Sequence, residues 1–248
     1  MSSSEDISRW DAVADAYADA VGHGQDSFFH RAEPAFRAAI PSPSGQRILD
    51  VGCGHGWLSR QYAELGAEVV GIDGSRRLID KARVNPSSVE WVVHDLDSGL
   101  PPRIGRFDAA IAHMVLMDLP SLSSLLNDVQ RLLKPGGVLV ASVLHPAFFN
   151  QKVQGADNKW FRQVTSYLTP QRWWIDSFGG HWHYHRPLEF YVRELSAAGF
   201  AINGLSEPRS LPHDRLDEAV WSDYQKWFAD IPTMLVIQAE KRWQGPGD

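Results

Sequence analysis

Between Arg47 and Val143, short apolar runs alternate with amphipathic stretches, and this rhythm restricts the fold more than any other feature of the sequence. The runs Arg47–Val51, Glu68–Ile72, Val89–Val93, Phe107–Ala112 and Val138–Val143 read as strands. Between them, Trp57 to Leu65 has helical spacing and stops at Gly66, and Ser75 caps a helix running to about Arg83. A further helix from about Leu122 to Leu133 ends at Lys134-Pro-Gly-Gly137. Strands alternating with helices form a parallel sheet covered on both faces, and ligands bind beyond the carboxyl ends of its strands. A chain of 248 residues suits one such α/β domain spanning residues 1–248.

The rhythm breaks after the fifth strand. Residues 146–186 show no periodic element, yet they hold ten of the chain's 27 aromatic residues and five Lys or Arg against two Asp. A long irregular segment inside a compact domain is usually a lid or a binding loop, so 146–186 reads as an aromatic lid. The alternation then resumes with a helix from about Leu188 to Ala198, a strand Phe200–Leu205, a helix around Leu216 to Phe228 and a strand Thr233–Glu240. Residues 1–44 read as a helical cap, in which Ser8–Tyr17 puts Trp10, Val13, Ala14 and Tyr17 on one helical face.

Composition removes several function classes. The one cysteine, Cys53, rules out an internal disulfide or a Cys-rich zinc site and fits a reducing compartment, so a cytoplasmic protein is expected. No run of about 18 apolar residues is present, and MSSSEDISRW lacks the basic-then-apolar pattern of a secretory leader. A formal charge of −6 argues against a nucleic-acid backbone as the main partner. Oligomerisation is left open.

The segment Asp50-Val-Gly-Cys-Gly-His-Gly-Trp57 joins the first strand to the next helix. A dinucleotide fingerprint, G-x-G-x-x-G, needs its third glycine for close packing of helix on strand. Gly52 and Gly54 fit, but Trp57 occupies the third position and its indole obstructs that packing. A nicotinamide-dependent dehydrogenase is therefore disfavoured.

With Val70-Gly-Ile-Asp73, Val93-His-Asp-Leu96 and Leu132-Leu-Lys-Pro-Gly-Gly137 in order behind this turn, the chain resembles the class I S-adenosylmethionine-dependent methyltransferases over roughly residues 7–241. The resemblance implies a doubly wound, seven-stranded, mostly parallel sheet closed by an antiparallel C-terminal hairpin, with S-adenosyl-L-methionine as cofactor. It also implies that Asp50 sits near the cofactor's ammonium, with Gly52, Cys53 and Gly54 forming the turn beside it. Asp73, followed by Gly74, would accept the ribose hydroxyls. Asp95 would accept from the adenine amino group, and the Leu96 amide would meet a ring nitrogen. His113 and Met114 would line the methionine end, and Tyr17 of the leading helix would approach the methionine carboxylate.

Methyl transfer is a displacement on an already activated donor, so alignment and exclusion of water matter most. An oxygen or nitrogen acceptor also benefits from a base tuned near neutrality, which favours histidine. His145, just past the fifth strand, is the first candidate for base or acceptor-orienting residue, and His113 the second; a loop histidine bonded to backbone is the alternative for His145. His181-Trp-His-Tyr-His-Arg186 sets three histidines on one face of an extended segment, but no carboxylate or Cys completes a zinc set, so no metal is expected. The resemblance implies that His185 and Arg186 shape the acceptor pocket, Arg186 pairing with a carboxylate or phosphonate or else serving as a structural arginine; the lid aromatics, Trp173 and Trp174 among them, would stack on a planar acceptor, cradle a cationic amine or form the lid's own small core. The expected function is methyl transfer to an oxygen or nitrogen of a small molecule, a secondary metabolite among the options. A modified tRNA base as acceptor and a non-catalytic S-adenosylmethionine-binding protein are the alternatives.

Overall fold

The computed structural model describes residues 3–21, 27–85, 87–211 and 221–242. Two helices lead, α1 (Ser3–Val21) and α2 (Ser27–Ala39). The alternating unit follows as β1 (Arg47–Val51), α3 (Trp57–Glu64), β2 (Glu68–Asp73), α4 (Arg76–Val84), β3 (Glu90–Val93), β4 (Phe107–His113), α5 (Ser123–Leu132) and β5 (Leu133–Leu144). The expected boundaries hold to within a residue or two except at β5. There Phe107 pairs with Leu133 and Ala109 with Val138, so Lys134-Pro-Gly-Gly137 is a bulge inside the strand after the helix has stopped. Ser75 caps α4 as expected, its Oγ accepting from the Leu78 amide at 3.2 Å.

The tail continues through β6 (Gln151–Gln154), β7 (Trp160–Gln163), β8 (Gln171–Ile175), β9 (His181–His185), α6 (Leu188–Ala197), β10 (Phe200–Ser206), α7 (Asp223–Ala229) and β11 (Met234–Lys241). Seven strands form one sheet in the order β10-β11-β5-β4-β1-β2-β3. β1, β2, β3, β4 and β5 pair in parallel, while β11 runs antiparallel to both β5 and β10. This is the doubly wound sheet with a C-terminal hairpin that the resemblance implies.

Both sheet faces are apolar, as a sheet covered on each side requires. Ile48, Val69, Ala109, Ile111 and Val140 pack with Phe36 of α2 and Tyr62 of α3. Their neighbours in sequence, Leu49, Val70, Ala110 and Leu139, point to the other face and meet Leu125, Leu126 and Val129 of α5 and Leu195 of α6. Each large apolar side chain removed from water contributes about 1.5–3 kcal/mol. Trp57, which displaced the dinucleotide reading, opens α3 and packs its ring 4.6 Å from Phe29 of α2.

The lid differs from the expected irregular segment. It folds as two antiparallel hairpins, β6–β7 and β8–β9, paired only with themselves and not with the main sheet. These strands are four or five residues long and carry mixtures such as Gln-Lys-Val-Gln, too short and polar to show a strand period. The expected helix around 216–228 is α7 in its second half, started by Ser222 and Gln225 capping each other; residues 216–220 lie outside the described residues. Among the described residues, no helix is long and apolar enough to cross a membrane.

Candidate active site

At the carboxyl ends of β1, β2, β3 and β4 lies a cleft of about 680 Å³, partly open to solvent. Gly52, Gly54, Asp73, Gly74, Asp95, Leu96, His113 and Met114 line it, and Tyr17 of α1 covers it together with Asp6 and Trp10. The topology thus brings most of the expected cofactor residues to one place. A second chamber of about 690 Å³ adjoins the first and is lined by Phe28, Phe29, Phe149, Ile175, Phe178 and His181 among others. Trp10, Tyr17, His113, Met114 and Asp118 face both.

The glycine turn is laced to β2, since the Gly52 and Cys53 amides both donate to Ile72 O at 2.8 and 3.0 Å. Gly52 has φ +69, and a Cβ there would lie 2.3 Å from Val115, so the loop after β4 is what forbids a side chain. Gly54 is different: the space beside it ends at the Tyr17 ring, 3.5 Å from where a Cβ would sit. Asp73 ties this turn to α4, its Oδ2 accepting from the Gly54 amide and its Oδ1 from the Ser75 amide, each at 2.8 Å. Every carboxylate oxygen can still accept a second bond from the cleft side. Asp95 holds the following turn by accepting from the Asp97 amide at 3.0 Å. Met114 has φ 55, a left-handed backbone held by its amide donating to Ser142 O and Oγ.

Two expected cofactor contacts move behind the wall. Asp50 is 2% exposed and does not line the cleft; its Oδ2 accepts from Ser59 Oγ at 2.5 Å beneath the turn. Cys53 contributes backbone to the turn, while its buried Sγ lies under it beside Gly71.

The expected acceptor residues also need correction. His145 lines neither chamber. Its Nδ1 accepts from the Ala147 and Phe148 amides at 3.1 and 3.2 Å, which leaves Nε2–H to donate to Glu207 at 2.8 Å. It is the backbone-bonded loop histidine of the alternative reading. Arg186, 6% exposed, donates to the carbonyls of Leu116, Leu119 and Pro120 and so clamps the loop after β4 rather than facing an acceptor anion. His185 donates Nε2–H to Tyr167 O and stacks at 4.6 Å on Trp173, whose indole N–H is bonded to Gln171. Trp174 is 40% exposed against Trp182. None of these four lines either chamber. His181, His183 and His185 do share the buried face of β9, but no group of three His, Cys, Asp or Glu among the described residues is placed to hold a metal ion.

Sequence reading missed Asp118, Phe28 and Phe29, and it named Phe149, Phe178 and His181 only within the aromatic lid and the histidine row, not as chamber walls. The strand-end rule held the signal for Asp118, because the loop after β4 runs on to Pro120 along the cleft.

Electrostatics separate the buried groups. Burial raises the carboxyl of Asp50 to about 7 and that of Asp73 to about 6, and pushes Asp118 well above the usual carboxylate range. It lowers His55 to about 4, and His113 and His183 to about 3 each. The carboxyls stabilise the fold at low pH and lose that contribution as pH rises through their folded values. The imidazoles contribute above about 6.5 and lose it as pH falls towards 3 or 4. Between pH 4 and 6.5 the two sets oppose one another, and above that interval the opposition from His55, His113 and His183 is gone. The melting temperature of the ligand-free protein is therefore expected to fall from pH 6.5 to 7.5 as buried Asp50 gives up its proton, with ~1.4 kcal/mol of stability lost per pH unit for each carboxyl still protonated. A melting temperature that climbs over that interval contradicts these assignments.

The chain matches the methyltransferase domain family over residues 26–203. It is 33% identical over 161 residues to the ubiquinone biosynthesis O-methyltransferase of Xanthomonas axonopodis pv. citri, covering 61% of this chain and 66% of that one. It is 31% identical over 135 residues to the malonyl-[acyl-carrier protein] O-methyltransferase of Enterobacter lignolyticus, covering 54% and 53%. The chain thus spans less than two thirds of the length of these relatives. Among solved structures, an S-adenosylmethionine dependent methyltransferase from Mesorhizobium loti superposes with a TM-score of 0.71 at 28% identity, over 85% of this chain and 97% of that one.

Proposed function

Since the chain belongs to the class I S-adenosylmethionine-dependent methyltransferases, we propose that it transfers the methyl group to a hydroxyl oxygen of a small, largely apolar acceptor. The observation that carries this reading is the wall of Trp10, Tyr17, His113, Met114 and Asp118 shared by the two chambers. The donor set of the first cleft fits S-adenosylmethionine: carboxylates at Asp73 and Asp95 for hydroxyl and amino donors, apolar Leu78 and Leu96 for a ring, and bare backbone at Gly54. When bound, the cofactor supplies a methyl carbon already activated by its sulfonium for displacement.

The chain's own residues then align and exclude. Tyr17 and Trp10 close the donor side, packed edge to face with ring centroids 5.5 Å apart. Phe29 stacks on His113 at 4.6 Å, and His113 Nδ1 lies 2.7 Å from Ser142 Oγ, so this wall is fixed in orientation. His113, neutral and weakly basic, acts as wall rather than base. Exclusion of water and a fixed approach can together supply roughly 7–11 kcal/mol of the barrier.

Among the described residues, no Lys or Arg lines the acceptor chamber, which supports an uncharged or phenolic acceptor over a nucleic-acid backbone. Oxygen is preferred over nitrogen because the two curated relatives above are named as O-methyltransferases. The test is calorimetry with S-adenosylmethionine, S-adenosylhomocysteine and NAD. A screen for S-adenosylhomocysteine release follows, with phenols, enols, carboxylic acids and amines, secondary metabolites included. Binding of the first two ligands but not NAD is expected, with turnover of hydroxylated aromatics. Turnover of amines alone would replace oxygen by nitrogen, and NAD binding would overturn the reading.

A further inference from the structure

We propose that Asp118 is the catalytic residue that takes the acceptor's proton, because it lines both the donor cleft and the acceptor chamber and its buried Oδ1 has no hydrogen-bond partner among the described residues. The proposal rests on the O-methyl transfer proposed above and names the base that it requires.

Asp118 sits in the single helical turn Leu116–Asp118 after β4 and is 8% exposed. A buried carboxyl oxygen without a donor destabilises a protein, and such groups persist mainly where function requires them. The loop that carries it is fixed by Arg186 through the carbonyls of Leu116, Leu119 and Pro120. The guanidinium therefore serves the backbone on either side and leaves Oδ1 unpaired.

The histidines nearby are poorer candidates. His145 has both ring nitrogens engaged outside the chambers. His113 has Nδ1 at Ser142 and is pushed far below neutrality. His181 keeps an unpartnered Nδ1, but it borders the acceptor chamber alone and is also pushed down by burial.

The surroundings set the charge of Asp118. Burial disfavours the carboxylate, as do Asp6 of α1 and Asp73 of β2, while Arg186 after β9 favours it; Tyr191 of α6 is the remaining titratable neighbour. Tyr17, His113, His181 and Asp95 complete the titratable groups on the two chamber walls. The balance of these surroundings pushes Asp118 towards the neutral carboxyl in the ligand-free protein. A cation arriving in the donor cleft favours the carboxylate, so the base forms when the sulfonium is present. As the acceptor oxygen bonds to the methyl carbon, the carbon–sulfur bond breaks with its electron pair kept by sulfur. The acceptor's O–H bond breaks towards Asp118, which becomes a carboxylic acid. The carboxylate and sulfonium charges vanish together, and the products are a methyl ether, a neutral thioether and a proton later released to solvent.

Two measurements test this. Calorimetry at neutral pH, in buffers of different ionisation enthalpy, counts protons released on binding. The wild-type protein is expected to release close to one proton more with S-adenosylmethionine than with S-adenosylhomocysteine, whose sulfur carries no charge, and Asp118→Asn to abolish that difference while keeping S-adenosylhomocysteine affinity within about threefold. In turnover, Asp118→Asn is expected to lower kcat by roughly 10²–10⁴, to lose the acid limb of the pH profile, and to lose least with the most acidic phenols. Equal proton release with both ligands in the wild-type protein overturns the proposal even if the variant does not fold. An unchanged kcat and pH profile in the variant overturns it too, as does a loss confined to cofactor binding. If no hydroxyl acceptor is turned over by the wild-type protein while the proton difference stands, the O-methylation reading fails and the donor-dependent ionisation of Asp118 does not.

Discussion

Arg186→Ala is expected to destabilise the fold by about 3–5 kcal/mol, read as a lowered urea midpoint at unchanged slope. The guanidinium donates to three carbonyls of the loop after β4, at 3.0 Å to Leu116, 2.5 Å to Leu119 and 2.9 Å to Pro120. It also lies over the Phe190 and Tyr184 rings. Each carbonyl left without a donor costs about 1–3 kcal/mol, and the packing of the side chain is lost as well. Arg186→Lys is expected to recover little, because one ammonium cannot reach three carbonyls along the fork of a guanidinium. Had Arg186 bound an acceptor anion, the variant would keep its stability and show a raised KM alone. That result would reinstate the reading drawn from the sequence.

Asp73→Ala is expected to weaken binding of both S-adenosylmethionine and S-adenosylhomocysteine about ten- to hundredfold, corresponding to ~1.5–3 kcal/mol for a charge-assisted hydrogen bond. Two effects act in the same direction. The cleft loses a carboxylate on its wall, the one proposed to accept from the ribose hydroxyls, and the Gly54 and Ser75 amides lose the acceptor that draws the glycine turn onto α4. Titration calorimetry measures the change, and an affinity within twofold of wild type would remove Asp73 from the cofactor site.

The sheet was legible because its apolar periods are intrinsic to each segment. Ile48 and Leu49 face opposite layers whatever lies elsewhere in the chain. The donor side of the site was legible for a related reason: Asp73 and Asp95 stand at strand ends, and strand ends are where such sheets present ligand groups. The acceptor side was not. An arginine that holds carbonyls 66 to 70 residues away looks, in sequence, like one waiting for an anion. His145 is engaged through Glu207, 62 residues on, and through two amides whose direction depends on the turn after β5. Asp118 carries the opposite lesson. Nothing local distinguishes it from a solvated loop aspartate, and its burial emerges only when α1 and the β8–β9 hairpin close over the loop. Asp6 of α1 joins these two covers by accepting from Arg172 at 2.7 Å and from Tyr184 at 2.8 Å.

The partition between the two chambers also sets how this scaffold can diverge. Trp10, Tyr17, Met114 and Asp118 belong to both sides, so a substitution there that admits a new acceptor reshapes the seat of the methyl donor in the same stroke. Phe28, Phe29, Phe149, Ile175 and Phe178 border the acceptor chamber alone. With the chambers assigned as proposed, acceptor range can drift through these five positions while the donor seat stays intact, which leaves the apolar far wall as the variable surface of an otherwise fixed machine.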